Sequence, residues 1–274
     1  MKDLILCADD FAVHGEASLG IAQLAQQGRL SATSVMVLSP RWAQDAALLQ
    51  DLRGHIDVGL HLDWTSDFAL ASGHGLSLAV AMLKASLGGF ARGAAQAATR
   101  AVIERQLDAF EAQWKAPPDY VDGHQHVQQF AGIREALVPI LVSRYGEAGP
   151  LPYVRISRAP PGAADSKSRV IAAMGASALE TLATRSGLRC APALLGTYDF
   201  AGDASRYARL MQDWLAQAPS HSIIMCHPGQ ALVHSDAIGA ARVREFAYLG
   251  GAAFADALAQ AGVHLVRGAA LAAR

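Results

Sequence analysis

Short strand-like runs alternate with longer helical segments along most of the chain, and this alternation constrains the fold more than any other feature. Strands that alternate with helices form parallel βαβ units. Seven or eight such units in 274 residues predict one TIM-like (β/α) barrel domain spanning 1–274, either complete or one strand short. The predicted strands cover residues 4–8, 34–38, 56–62, 120–122, 153–156, 191–195, 223–226 and 263–266.

One segment, 66–98, does not fit this alternation and predicts a helical insertion after the third strand. Long insertions of this kind are often lids or oligomer contacts, and apolar surface on this one would favour a homodimer. A packed excursion without a function is the alternative. An amphipathic helix follows, with its apolar residues at helical spacing: Ile103, Leu107, Phe110 and Trp114. Single helices are also predicted over 168–185 and 240–260.

Composition excludes several classes of protein. The chain has 23 basic and 24 acidic residues, so it lacks the positive excess that a nucleic-acid partner requires. Its three widely spaced cysteines do not resemble a disulfide framework. No apolar run is long enough to span a membrane, and the first residues lack the pattern of a signal peptide. We therefore expect a soluble, cytoplasmic protein.

Ionisable side chains follow five of the predicted strands. In a parallel barrel the carboxyl ends of all strands open on one face, where active sites lie. These residues are therefore predicted to converge on one site. They are Asp9 and Asp10 after the first strand, His61 in the third, Asp122, His124 and His126 after the fourth, Arg155 after the fifth and His227 after the seventh.

The residue types suit a divalent metal such as Mg²⁺ or Zn²⁺. One carboxylate and two imidazoles would leave coordination positions open, which is typical of a catalytic site. Two adjacent carboxylates ionise together cheaply only beside a cation, and one of Asp9 and Asp10 could then ligate while the other accepts a proton. His124 and His126 are two residues apart and would share one face of an extended strand.

Each feature also has a structural interpretation. The Asp9-Asp10 pair could cap a helix, His61 could be a buried core histidine, and Arg155 could form a surface ion pair. Convergence of all of them on one face of a barrel favours function.

Five motifs occur in an order and spacing that resemble the YdjC-like carbohydrate deacetylase family. The resemblance implies a (β/α) barrel with one divalent metal. Two positions depart from the family pattern, because Ala12 stands where glycine is common and Gln128 where histidine is common. The motifs are Ala8-Asp9-Asp10-Phe11, Ser31-Ala32-Thr33-Ser34 after Gly28, Gly59-Leu60-His61-Leu62, Asp122-Gly123-His124-Gln125-His126 and Cys226-His227-Pro228-Gly229.

The resemblance also implies roles. Asp10, His61 and His124 would hold the metal, Asp9 would be the general base and His227 the acid. The substrate would be a small N-acetylated amino sugar or oligosaccharide. We also expect Arg155, Trp64 and His126 to contact that substrate.

Two other functions are compatible with such a barrel. A metal-dependent phosphoesterase would need more cationic groups at the strand ends than Arg155 and Arg158 supply. A sugar-binding protein without activity would need neither Asp9 nor His227.

Overall fold

The structure is a computed structural model and describes residues 1–147 and 149–271. Eight strands alternate with helices through this part of the chain, as the sequence pattern predicts. The strands are β1 (Lys2–Phe11), β2 (Ala32–Val35), β3 (Asp57–Leu62), β4 (Tyr120–Gly123), β5 (Tyr153–Val154), β6 (Leu194–Leu195), β7 (Ile223–Cys226) and β8 (Val263–Leu265).

Eleven α-helices occur in the described residues. They are α1 (Gly15–Gln26), α2 (Trp42–Asp45), α3 (Asp67–Ala71), α4 (Leu78–Ser86), α5 (Gly93–Trp114), α6 (Ile133–Tyr145), α7 (Ser166–Ala173), α8 (Ala176–Arg185), α9 (Ala204–Gln217), α10 (Gly239–Gly250) and α11 (Ala252–Gln260). Short 3₁₀ helices cover Ala46–Leu52, His124–Gln129 and Gly268–Ala270.

The strands form one parallel sheet in the order β5-β4-β3-β2-β1-β7-β6, and β8 pairs with the first residues of β1. β1 is the longest strand and lies between β2 and β7, so both of its edges are paired. The edge strands β5 and β6 have two residues each, and near them a single parallel bridge joins Val154 to Cys190. The predicted fold is therefore confirmed as an incomplete, TIM-like barrel.

The segment after β3 is helical, as expected, but shorter than predicted. It contains α3 and α4, and α5 already begins at Gly93, ten residues before the first residue of its predicted apolar stripe. All four residues of that stripe are buried. Gln106 of α5 accepts a hydrogen bond from the Asp63 backbone N–H and donates one to its carbonyl, which fastens the helix to the end of β3.

Two helices predicted as continuous are each divided at a glycine. Gly175 separates α7 from α8 with φ of +131°, a left-handed value outside any α-helix. Gly251 separates α10 from α11 with extended backbone. Among the described residues no helix is both long and apolar enough to cross a membrane.

A candidate metal centre at the carboxyl ends of the strands

The end of β1 supplies two adjacent carboxylates to one cluster. Consecutive residues of a regular strand point to opposite faces of the sheet. The pairing register with β2 shifts between Ala8 and Phe11, and Asp10 has a left-handed φ of +67°. This irregularity lets the side chains of both Asp9 and Asp10, which are almost fully buried, contact groups from the other strand ends.

Asp10, His61 and His124 come together at the mouth of the barrel. Oδ1 of Asp10 lies 3.4 Å from Nε2 of His61 and 3.3 Å from Nδ1 of His124. One potential donor atom from each of the three residues lies within 4.8 Å of the other two. Their side chains come from β1, from β3 and from the residue that directly follows β4.

His61 is oriented by a second carboxylate on the neighbouring strand. Its Nδ1 lies 2.6 Å from Oδ1 of Asp122, which leaves Nε2 to face Asp10. Burial alone would lower the pKa of His61, but the charges and hydrogen bonds of Asp122 and Asp10 outweigh burial and raise it to about 10. Histidine ligands of metals commonly carry such a carboxylate on their other ring nitrogen.

Asp9 is held by a buried arginine. Arg155 directly follows β5, is fully buried, and donates from its two terminal nitrogens to Oδ1 and Oδ2 of Asp9 at 2.7 and 2.9 Å. The same guanidinium lies 2.9 Å from Oδ2 of Asp122. Burial opposes ionisation of Asp9, yet the charge of Arg155 holds the pKa of Asp9 below its usual range. Asp9 is therefore a carboxylate at neutral pH.

His227 faces Asp9 from the end of β7. Its Nε2 lies 4.0 Å from Oδ2 of Asp9. Its backbone N–H donates to Glu245, a fully buried residue of α10 that also accepts a hydrogen bond from Tyr198. Its ring makes a T-shaped contact with the ring of Phe200. Nδ1 of His227 is buried without a hydrogen-bond partner among residues 1–147 and 149–271.

The His124-x-His126 motif does not lie on an extended strand, and that prediction was wrong. Residues 124–129 form a 3₁₀ turn in which Gln125 and His126 have left-handed backbone. The turn separates the two imidazoles, because Nδ1 of His126 bonds to Ser157 at 2.9 Å and not to the cluster around Asp10. Burial and the charge of Arg155 lower the pKa of His126 to about 3, so it is neutral.

Three side chains considered for substrate contact or specificity are buried. Arg155 is engaged by carboxylates, as described above. Trp64 is 2% exposed and makes T-shaped contacts with His74 and Phe90, both within the predicted insertion. Gln128 is fully buried and donates to the Arg155 carbonyl and to Ser157. Gln128 therefore has a structural role in the wall of the barrel.

Sequence reasoning gave no role to several residues that complete the cluster. The sequence predicts Asp122 only as a strand-end carboxylate, although its place near the histidines of the other strand ends is a signal for such a pairing. Ser34, within the Ser31–Ser34 motif, donates to Asp122 at 2.5 Å. Arg242 and Glu245 lie on α10, far from any motif, and no sequence signal identified them. Arg242 donates to Oδ2 of Asp10 at 2.7 Å.

The residues present fit a divalent metal. A carboxylate oxygen and two imidazole nitrogens converge, and they are ordinary ligands of Zn²⁺ and similar ions. His61 would have to lose the proton on Nε2 to ligate, as every imidazole ligand must. Cys7, Asp9 and Asp122 also lie close together, but Arg155 already contacts both carboxylates. The first cluster is therefore the better candidate.

Comparison with known proteins identifies the family of the chain. Residues 3–260 match the YdjC-like protein family. A chitooligosaccharide deacetylase from Proteus mirabilis (strain HI4320) is 28% identical over 162 residues, which are 57% of this chain and 59% of the relative. The match thus spans less than two thirds of that relative. A solved structure from Enterococcus faecalis V583, described as a cellobiose-phosphate cleavage protein, has a TM-score of 0.66 at 17% identity and covers 97% of both chains.

Proposed function

We propose that this chain, which belongs to the YdjC-like protein family, is a metal-dependent hydrolase that removes the acetyl group from an N-acetylated amino sugar or oligosaccharide. One observation carries the proposal: Asp10, His61 and His124 converge beside a second, arginine-held carboxylate, Asp9. The deacetylase activity of the Proteus mirabilis relative supports the choice of substrate.

The residues divide the reaction between them. A divalent ion held by Asp10, His61 and His124 would supply a Lewis acid that polarises the acetamide carbonyl and acidifies a water molecule. Asp9 is ionised and would accept the proton of the attacking water. The new carbon–oxygen bond would form first, and the carbon–nitrogen bond would break afterwards as the nitrogen is protonated, which gives acetate and a free amine.

His227 would deliver a proton to the departing nitrogen, since an unprotonated amide nitrogen is a poor leaving group. Its Nε2 lies close enough to Asp9 for both groups to face one bound acetamide. Arg155 would hold Asp9 in place: both of its terminal nitrogens are bonded to that carboxylate. We therefore propose that Arg155 positions Asp9 and does not bind the sugar.

A phosphoesterase is the less favoured activity. Phosphate recognition needs cations that are free to bind its oxygens. The two arginines that reach the cluster, Arg155 and Arg242, are each bonded to a carboxylate of the protein.

The test is acetate release from N-acetylated mono- and oligosaccharides, by the parent protein and by Asp9→Asn, before and after chelation and metal restoration. We expect release that requires metal and that falls by about 10² to 10⁴ in the variant, the usual contribution of a general base. Asp213→Asn, on the exposed side of α9, is the matched control and should keep full activity.

Metal content and thermal melting of Asp9→Asn show whether the variant still folds and binds metal. A folded, metal-loaded Asp9→Asn that retains a third or more of the parent rate would remove Asp9 as the base. Absence of acetate release from every substrate by metal-loaded parent protein would overturn the deacetylase proposal.

A further inference from the structure

The two oxygens of Asp10 have different partners. Oδ1 faces the imidazoles of His61 and His124 at 3.4 and 3.3 Å, whereas Oδ2 accepts a hydrogen bond from Arg242 at 2.7 Å. A carboxylate without such a partner could rotate or offer both oxygens to one cation. The contact with Arg242 leaves a single oxygen of Asp10 facing the histidines.

Arg242 is itself fixed from the opposite side. Its side chain is 3% exposed, and its Nε donates to Oδ2 of Asp236 at 2.5 Å. The same oxygen of Asp236 lies 3.1 Å from Nε2 of His14. Nδ1 of His14 accepts the backbone N–H of Ala17 at the start of α1, so Nε2 carries the hydrogen and donates to Asp236. The guanidinium is thus held between two carboxylates.

We propose that Arg242 is a positioning residue that makes Asp10 a one-oxygen metal ligand, with Asp236 and His14 as its support. The inference rests on the metal site of the proposed function, and it concerns how that site is organised. The partners of metal ligands commonly change metal affinity by 10- to 100-fold when they are removed.

The positive charge of Arg242 predicts the opposite effect on metal binding, so an experiment can distinguish the two roles. If the guanidinium acted only as a charge near a cation, its removal would strengthen metal binding. If it orients Asp10, its removal should weaken binding and change the number of oxygens that reach the ion.

The experiment is a titration of the metal-free full-length protein with Co²⁺, which yields a dissociation constant and a visible spectrum whose intensity depends on coordination number. We expect Arg242→Met to bind Co²⁺ ten- to a hundredfold more weakly and to show an altered spectrum. Arg242→Lys, which keeps the charge but lacks the planar fork, should lie between Arg242→Met and the parent. Arg209→Met, at an exposed position of α9, is the control and should match the parent.

Asp236→Asn provides a milder variant that keeps Arg242 and should weaken binding two- to fivefold, so the question can be answered even if Arg242→Met does not fold. Binding by folded Arg242→Met or Asp236→Asn that equals or exceeds that of the parent, with an unchanged spectrum, would overturn the inference alone. A parent protein that binds no divalent metal would overturn the proposed metal site together with it.

Discussion

Asp10 and Ala12 are the residues whose backbone departs most from the strand that leads to them. Their φ values are +67° and +73°, in the left-handed region that residues with a Cβ rarely adopt. Asp10 gains an ion pair with Arg242 in this conformation. Ala12 is fully buried and donates its N–H to Ser18. The bend is therefore held by contacts on both sides.

Ala12 should tolerate glycine but not a β-branched residue. Glycine relieves the left-handed strain but loses a buried methyl group and chain stiffness, so we expect Ala12→Gly to change the free energy of unfolding by less than about 1 kcal/mol. Ala12→Val should lose about 3 kcal/mol, because valine is both strained at this φ and too large for the buried position. Urea unfolding measures both, and equal stabilities would show that the backbone at residue 12 is not constrained.

Asp236 should stabilise the fold in a way that depends on pH. Burial would raise the pKa of Asp236, but the hydrogen bond from His14 and the charge of Arg242 hold it below its usual range. A carboxylate with a depressed folded-state pKa stabilises the protein above its unfolded-state pKa of about 3.9. That contribution is lost as the pH falls through the lower folded-state pKa.

We therefore expect Asp236→Asn to unfold about 1.5–3 kcal/mol more easily than the parent at pH 7, a usual loss for hydrogen bonds to a charged group. The gap should persist at pH 5 and shrink at pH 3 and below. Urea unfolding at the three pH values measures it, with the exposed Asp213→Asn as control. A gap that stays constant down to pH 2 would contradict the expected linkage.

At the scale of elements, the packing between β3 and β4 requires a glycine at position 59. A Cβ on Gly59 would lie 2.5 Å from the ring of Tyr120. That ring is stacked on Tyr153 at 4.9 Å, and its hydroxyl bonds to Cys7 and Ser34 at 2.9 Å each. Tyr120 is thus held on several sides and cannot move away cheaply.

Gly59→Ala should therefore destabilise the protein by about 1–3 kcal/mol, the usual cost of overpacking a core. Gly250→Ala is the matched control: its Cβ would meet Leu24 at an ordinary 3.5 Å, and alanine favours the helix. Thermal unfolding of both variants distinguishes the two environments. Equal stability of the two variants would mean that the barrel interior has room beside Tyr120.

The elements that the sequence pattern predicts well are those whose signal is local. The four apolar residues of α5 recur at helical spacing and all are buried, so that helix was recognisable. The breaks at Gly175 and Gly251 could not be recognised from the sequence. A Cβ on Gly175 would lie 2.2 Å from the carbonyl oxygen of Gln129, a contact that exists only once the helices have packed.

At the scale of the whole molecule, pairing is uneven around the sheet. β1 is paired along both edges, and residues 4–8 are buried almost completely. β5 and β6 are short edge strands near the single bridge between Val154 and Cys190. The free energy of local opening should therefore be higher for β1 than for β5 and β6.

Hydrogen exchange should reveal this difference. We expect the amides of residues 4–8 to exchange only through global unfolding, and those of 153–154 and 194–195 to exchange at least tenfold faster. Peptide-level mass spectrometry measures both regions in one sample. Equal protection of these regions would indicate that β5 and β6 are as stable against opening as β1.

The location of the candidate site could be predicted because parallel strands open on one face, and the ionisable residues at their ends, except His126, do lie together there. The contact between Arg242 and Asp10 could not be predicted from the sequence. Arg242 lies on α10, and its place depends on how that helix docks after the last strand of the site. The separation of His126 from His124 depends on a turn whose left-handed residues, Gln125 and His126, are not glycines.

The backbone bend at Asp10 also bears on how this segment can change in length. Asp9 and Asp10 both reach the mouth of the barrel because the backbone becomes left-handed at Asp10. Insertion or deletion of one residue at this point would exchange the two carboxylates or move one of them out of the barrel. We therefore expect the length of the chain to be more tightly constrained at this dipeptide than in the exposed loops of the barrel.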